Sequence, residues 1–317
     1  MKIVIPGGSG QVGTILARHF TAHGHEVAIL SRKPEPAPWR SVLWDAQTFG
    51  PWVAELEGAG AVINLVGRTV NCRYTSANRH EILESRVKSV QLLGAAIAKC
   101  VRPPRVWLQA STATIYAHRY DRPNDEFTGA VGTEPDAPDT WKFSFDVATR
   151  WEQALSAVSA PHTRRVAMRA AITLSPDPGG AFAVLLGLVR KGLGGRAGDG
   201  RQFVSWVHDY DFVAAVEFLI RRDDLSGPIN IAAPEPLPNA DFMRGLRTAW
   251  GVRFGAPAAR WMVEVGAWLL RTESELVLKS RRVVPRRLME AGFAFRFPAW
   301  PEAARDLCER WRRGAPA

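Results

Sequence analysis

A chain of 317 residues that is 46% hydrophobic can hold one large domain or two ordinary ones around a sizeable core. Its formal charge of +10 is mostly arginine, since lysines number only seven. No RNA-binding motif or aromatic-basic array accompanies those arginines, so a solvated basic face comes first, an anionic ligand second, and nucleic acid is set aside.

Cys72, Cys100 and Cys308 are odd in number and far apart, which fits neither a disulfide framework nor a metal box, and no metal site is expected. The longest apolar stretch, Trp261 to Leu270, contains Glu264 and is too short to span a bilayer. With an apolar run beginning at residue 2, no signal peptide is expected ahead of it. The expectation is a soluble, cytoplasmic protein.

The chain opens on Lys2 to Ile5, a short β-branched run that reads as a buried strand. Gly7, Gly10 and Gly13 follow at three-residue spacing, and Val12, Ile15, Leu16 and Phe20 then recur at helical spacing. Strand, glycine turn and helix present free N–H groups at a positive helix end, where a pyrophosphate can sit. Gly7 allows the tight turn, Gly10 lets phosphates approach, and Gly13 lets helix and strand pack closely. Gln11 and Val12, inside the turn, join the expected cofactor contacts.

Glu26 to Leu30 is the second strand, and it ends at Ser31, Arg32 and Lys33. An acid at this place would bond the free ribose hydroxyl of NAD, whereas a basic residue accommodates a 2′-phosphate. With no acid before Glu35, the sequence favours NADP(H) over NAD(H). Val42 to Trp44 is a third strand, and the following Asp45 can bond the adenine amino group or cap the next turn. Ala61 to Val66 is a fourth strand whose end, Leu65 and Gly67, would lie against the cofactor.

A helix is predicted over Ser76 to Lys99, with Leu83, Val87, Val90, Gly94 and Ile97 on one face. Arg105 to Ala110 is the fifth strand and runs into Ser111, Thr112 and Tyr116. Hydroxyls just past a parallel strand's end lie where open α/β sheets bind ligands. After a helix striped by Phe143, Val147 and Trp151, Arg165 to Ile172 is the sixth strand. This alternation predicts a Rossmann-like, doubly wound parallel sheet over residues 1–172. Beyond Pro176 glycines punctuate shorter elements, a strand over Gln202 to Val207 among them. They predict a smaller mixed α/β substrate or lid domain over 173–317, with elements of about 202–235 returning to the first sheet.

These residues resemble the extended short-chain dehydrogenase/reductases, whose glycine turn matches Gly7, Gly10 and Gly13. More closely, the chain is similar to the atypical YfcH-type subgroup of the NAD-dependent epimerase/dehydratase family, which has a C-terminal domain of unknown function. Val62 to Gly67, Glu84-Ser85-Arg86-Val87, Ser111 to Tyr116, Gly200-Arg201-Gln202, Ser205 to His208 and Gly292-Phe293 carry the match. The resemblance adds Arg86 to the expected cofactor residues. It implies a Tyr-x-x-x-Lys helix, in which tyrosine moves a proton while lysine lowers its pKa. None of the four tyrosines has a lysine at that spacing; counting back from Glu152, the pair falls at Ser144 and Ala148.

The remaining catalytic candidates are Thr112, which matches the family's serine, with Ser111 beside it, Tyr116 as a proton donor or a packing residue, and Glu134 as a base or a surface ion pair. Arg169 and Arg201 can hold an anionic group or be solvated. Ser205 and His208 offer a substrate contact, or a helix cap and a hydrogen bond joining the domains. The stripe Trp261, Val265, Trp268 and Leu269, flanked by Arg260 and Arg271, suits core or homodimer packing, with a membrane-surface face as the alternative. The expectation is an NADP(H)-dependent oxidoreductase or isomerase acting on a small molecule, an anionic one included. The alternative is a nucleotide-bound regulatory or scaffold protein, a role the resemblance connects with cell division in some relatives.

Overall fold

A computed structural model of the chain describes residues 1–269 and 272–314. In chain order its strands are β1 (Lys2–Pro6), β2 (Glu26–Ser31), β3 (Arg40–Leu43), β4 (Ala61–Asn64), β5 (Val106–Thr112), β6 (Arg164–Ala170), β7 (Ile172–Leu174), β8 (Phe203–Val204), β9 (Trp206–His208), β10 (Gly227–Ile231) and β11 (Leu237–Pro238). The helices are α1 (Gln11–Ala22), α2 (Ser76–Ile97), α3 (Asp139–Ser156), α4 (Ala181–Arg190), α5 (Asp209–Arg221), α6 (Asn239–Trp250), α7 (Arg260–Leu269), α8 (Glu275–Leu278), α9 (Arg286–Glu290) and α10 (Trp300–Arg313).

Seven strands make one parallel sheet in the order β3-β2-β1-β4-β5-β6-β10. The strands are apolar on both faces because both faces are covered. Ile3 and Ile5 of β1 join Ile15, Leu16 and Phe20 of α1 and Phe212, Val216 and Leu219 of α5. Val4, between them, points the other way, toward Val90, Leu93 and Ile97 of α2 and Trp151 and Leu155 of α3. The chain winds outward from β1 in both directions, so the order reverses between β1 and β4. Such a reversal opens a crevice beyond the strands' C-terminal ends.

A third apolar cluster packs α4, α6 and α10 around Leu174 of β7 and Trp206 of β9. These two strands pair outside the main sheet, which explains two departures from the sequence reading. The expected strand over 165–172 breaks after Ala170, where the chain leaves the main sheet. The expected strand over 202–207 splits at Ser205, because β8 pairs antiparallel with β11 while β9 pairs with β7.

Two expected faces are also redrawn. On α2 the buried apolar residues are Ile82, Val90, Leu93 and Ile97, while Leu83 and Val87 are only half-buried. Gly94 does face a close neighbour: a Cβ there would lie 2.6 Å from the Val158 side chain. On α7 no residue is buried, and Trp261 is 65% exposed, so the stripe is not part of this chain's core. Leu270 and Arg271, which flank that stripe, lie outside the described residues. No helix among the described residues is long and apolar enough to cross a membrane.

Candidate functional site

The glycine turn is built as its spacing requires. Gly7 has φ +71, and a Cβ on it would meet Val66 N at 2.8 Å, so only glycine fits there. A Cβ on Gly13 would lie 2.4 Å from Gly8 Cα, which fixes the close approach of α1 to the turn. Gly10 is the N-cap of α1 and offers no side chain to its first N–H groups. A Cβ on Gly10 would meet nothing within 4 Å, so the space above this helix end is open. An uncapped helix N-terminus beneath open space suits a pyrophosphate.

The neighbouring expected residues are arranged as follows. The Gln11 side chain donates from Nε2 to Asp177 O at 2.7 Å. Val12 packs against the core on the α1 side of the sheet. Ser31 Oγ accepts from Lys33 N at 3.2 Å, a local turn that leaves Arg32 and Lys33 exposed at the end of β2. Asp45 caps the local turn: its Oδ1 accepts from Gln47 N and Thr48 N, and its Oδ2 from the Thr48 hydroxyl. Those bonds, the Thr48 hydroxyl foremost, hold its pKa below the usual carboxylate value. Leu65 N bonds Pro6 O, fixing the end of β4 against β1.

Beside this crevice lies a cavity of about 250 Å³. Ser111 and Thr112 reach it from β5, Ser144 and Trp151 from α3, Ile82 and Arg86 from α2, and Tyr74 from the turn before α2. The segment around α8 closes it with Glu275, Leu276 and Arg281. That segment is held down by its backbone neighbours. Tyr74 N donates to Glu273 Oε1 at 2.8 Å, and Arg281 N donates to Phe203 O at 2.8 Å.

Its charges are buried. Ser144 donates to Glu275 Oε2 at 2.5 Å, and Glu275 Oε1 lies 3.6 Å from Arg281 and 3.8 Å from Lys279. Lys279 Nζ donates to Thr114 O, and Arg281 Nε to the Thr114 hydroxyl. Burial, with the Arg281 charge beside it, pulls the Lys279 pKa down to about 8. Burial raises the Tyr74 phenol above its ordinary value of 10, while hydrogen bonding with Ser144 acts in the opposite direction.

Several expected site residues are placed elsewhere. Tyr116 is buried, its hydroxyl donating to Asn230 Oδ1 at 3.0 Å and accepting from Arg169 Nη1 at 2.9 Å. Arg169 grips Glu152 through Nε and Nη2, and Ser111 donates to the same carboxylate at 2.6 Å. This network ties β5, α3, β6 and β10 together. Ser111 alone of that set also touches the cavity, and Tyr116 and Arg169 sit in the framework behind it. Arg201 is exposed, with its guanidinium 5.8 Å from the Tyr120 ring centre.

Ser205 and His208 take the capping and joining roles of the two that the sequence left open. The Ser205 hydroxyl donates to Arg281 O and accepts from Val283 N, clasping the C-terminal segment to the break between β8 and β9. His208 has no exposed surface and bonds Asp306 through Nε2 at 3.0 Å, joining α5 to α10. Burial works against its charge, but bonds to Asp209 and Asp306 outweigh it and raise the pKa. Glu134 is half-buried, and its Oε2 has no hydrogen-bond partner among the described residues. Its charge raises the pKa of Lys279.

Five polar cavity groups lie outside the residues expected from sequence: Tyr74, Thr114, Ser144, Glu275 and Arg281. Tyr74 has no lysine at family spacing, and Arg281 carries no motif of its own. The usable signal was Glu275 and Lys279 four residues apart around the apolar Leu276–Leu278, with Arg281 just beyond, a spacing that lets opposite charges pair on one helix face.

A seven-stranded parallel sheet with a glycine turn at its reversal defines a Rossmann-type dinucleotide-binding protein. The family model described as the NAD dependent epimerase/dehydratase family matches residues 3–232, and a domain of unknown function (DUF1731) matches residues 258–307. The chain belongs to the NAD-dependent epimerase/dehydratase family. It is 31% identical over 312 residues to the epimerase family protein SDR39U1 of Bos taurus, covering 97% of this chain and 99% of that one. The crystal structure of human SDR39U1 (isoform 2) with NADPH superposes with a TM-score of 0.84 at 30% identity, covering 98% of this chain and 99% of that one. A nucleoside-diphosphate sugar epimerase from Corynebacterium glutamicum gives 0.75 at 26% identity, covering 97% of this chain and 58% of that one.

Proposed function

We propose that this chain binds NADP(H) and acts as an oxidoreductase or isomerase on a small molecule seated in the cavity. The observation that carries the reading is an uncapped α1 N-terminus together with exposed Arg32 and Lys33 at the end of β2, with no acid before Glu35. The N–H groups of the Gly7–Gly13 turn would hold the pyrophosphate, and Arg32 and Lys33 the 2′-phosphate. The NADPH in the human relative's crystal structure supports the same preference.

When bound, the nicotinamide supplies or accepts a hydride. The proton falls to this chain's own hydroxyls. Tyr74 lines the cavity, whereas the Tyr116 hydroxyl is committed between Arg169 and Asn230. We assign Tyr74 as the group that moves a proton to or from the substrate oxygen, with Ser111 and Thr112 orienting that oxygen. A cavity of about 250 Å³ lined by these hydroxyls supports chemistry over a purely regulatory role.

Titration with NADPH and NADH at matched salt tests the cofactor preference. NADPH is expected to bind at least about tenfold tighter, and the double substitution Arg32→Ser, Lys33→Ser to erase that preference, as loss of charge-assisted phosphate bonds requires. Equal affinity for the two cofactors in the unaltered protein would overturn the reading.

A further inference from the structure

The cavity wall contains a half-buried cation with no carboxylate partner among the described residues. Arg86 stacks on Trp151, its Cζ 4.9 Å from the ring centre, and its Nη1 donates to Ile82 O and Arg68 O. Those carbonyls hold the guanidinium in place without cancelling its charge. No carboxylate pairs with it among the described residues, and burial draws its pKa down to about 10. Arg169, buried nearby in the same fold, has Glu152 for this purpose. A cation stacked in place, held by carbonyls and left without a counter-ion in a cavity wall is a binding group waiting for an anion.

We infer that Arg86 is the receptor for a carboxylate on the substrate, so that the chain acts on small monocarboxylates. With Nη1 used, the edge left over is Nε and Nη2, two parallel donors that match the two oxygens of a carboxylate. Gly67 packs on the face of the guanidinium, where a Cβ would lie 3.0 Å from Cζ and 3.1 Å from Nη2, so glycine there leaves room for the group as it lines the cavity. Glu275, the acid of the cavity, is already flanked by Arg281 and Lys279, so a bound carboxylate would meet a wall of net positive charge. A volume of about 250 Å³ restricts the ligand to a small acid.

This inference rests on the proposed function for its reaction, but binding tests it separately. The experiment measures stabilisation of the full chain by a panel of two- to five-carbon monocarboxylates, with and without saturating NADPH. The corresponding neutral amides and inorganic phosphate serve as comparisons. Carboxylates are expected to raise the melting temperature and amides to leave it unchanged. Arg86→Gln should weaken carboxylate binding by about 10- to 100-fold, the range for a charge-assisted bond, with NADPH affinity held within about twofold. Arg86→Lys keeps the charge and loses the fork, so it should fall between the two.

Equal binding of amides and carboxylates, or no binding by any carboxylate, overturns the inference. So does competition between carboxylate and NADPH, which would give Arg86 to the cofactor, or binding of phosphate alone. Failure of NADPH to bind while carboxylates still do would sink the cofactor reading and leave this one standing.

Discussion

Two buried polar networks lie side by side in this fold, and one is closed while the other is open. In the closed one, Ser111, Arg169, Glu152, Tyr116 and Asn230 satisfy one another across four elements. In the open one, Tyr74, Arg86, Ser144, Glu275 and Arg281 surround a cavity and leave donors unspent. A closed network stabilises and positions; an open one has capacity left for a ligand. The residue types are nearly the same in both, so their roles follow from which groups are already satisfied.

The largest effect should come from breaking the closed set. Arg169→Met leaves the half-buried Glu152 with Ser111 as its remaining partner and is expected to cost about 2–4 kcal/mol of stability by denaturant unfolding. The double change with Glu152→Gln should recover part of that loss, since no stranded charge remains. A loss below about 1 kcal/mol for the single change would mean that the pair contributes little and that the contrast between the networks is misdrawn.

The open network should respond in the reverse sense. Tyr74→Phe removes one hydroxyl from the cavity and is expected to lower turnover about 10²- to 10⁴-fold once a substrate is in hand, with little change in melting temperature. Tyr116→Phe should instead lower stability and spare the proton step. Because burial raises the Tyr74 pKa above 10, the phenol stays protonated across the neutral range. As the acid in reduction it therefore keeps its proton, and the rate should hold level until the pH passes above that raised value. A reductive rate that falls through neutral pH would point to another donor.

The contrast also shows what a sequence can and cannot reveal. The glycine turn, the parallel strands and the basic end of β2 were legible because each depends on residues adjacent in the chain: Gly7 needs its positive φ, and β1 needs apolar residues on both faces. The cavity was not legible in the same way. Tyr74 and Arg281 are 207 residues apart and meet only because the segment around α8 folds back over α2 and α3. Ser111 and Tyr116 drew attention through their place after β5, yet adjacency alone could not show that Asn230 and Arg169 occupy the Tyr116 hydroxyl. The break after Ala170 was hidden for a related reason, since β7 and β9 find each other across more than thirty residues.

A smaller effect separates packing from ligand binding within the glycine turn. Gly13→Ala places a Cβ 2.4 Å from Gly8 Cα and is expected to cost about 1–3 kcal/mol of stability, the usual range for overpacking. Gly10→Ala meets no atom within 4 Å, so its stability should change by no more than about 0.5 kcal/mol while NADPH affinity falls. Unchanged NADPH affinity in Gly10→Ala would show that the open space above α1 is not where the phosphates lie.

The smallest effect is expected on α7, whose apolar face belongs to neither network. Trp261 and Val265 are 65% and 48% exposed, so this chain's own core does not depend on them. Removing an exposed side chain with no packing partner usually changes stability by less than about 0.5 kcal/mol. Trp261→Ser should therefore leave the denaturation midpoint nearly unmoved, at micromolar and at nanomolar protein alike. A stability loss that appears at high protein concentration and vanishes on dilution would break this expectation, because only a second copy covering the face gives Trp261 a concentration-dependent contribution.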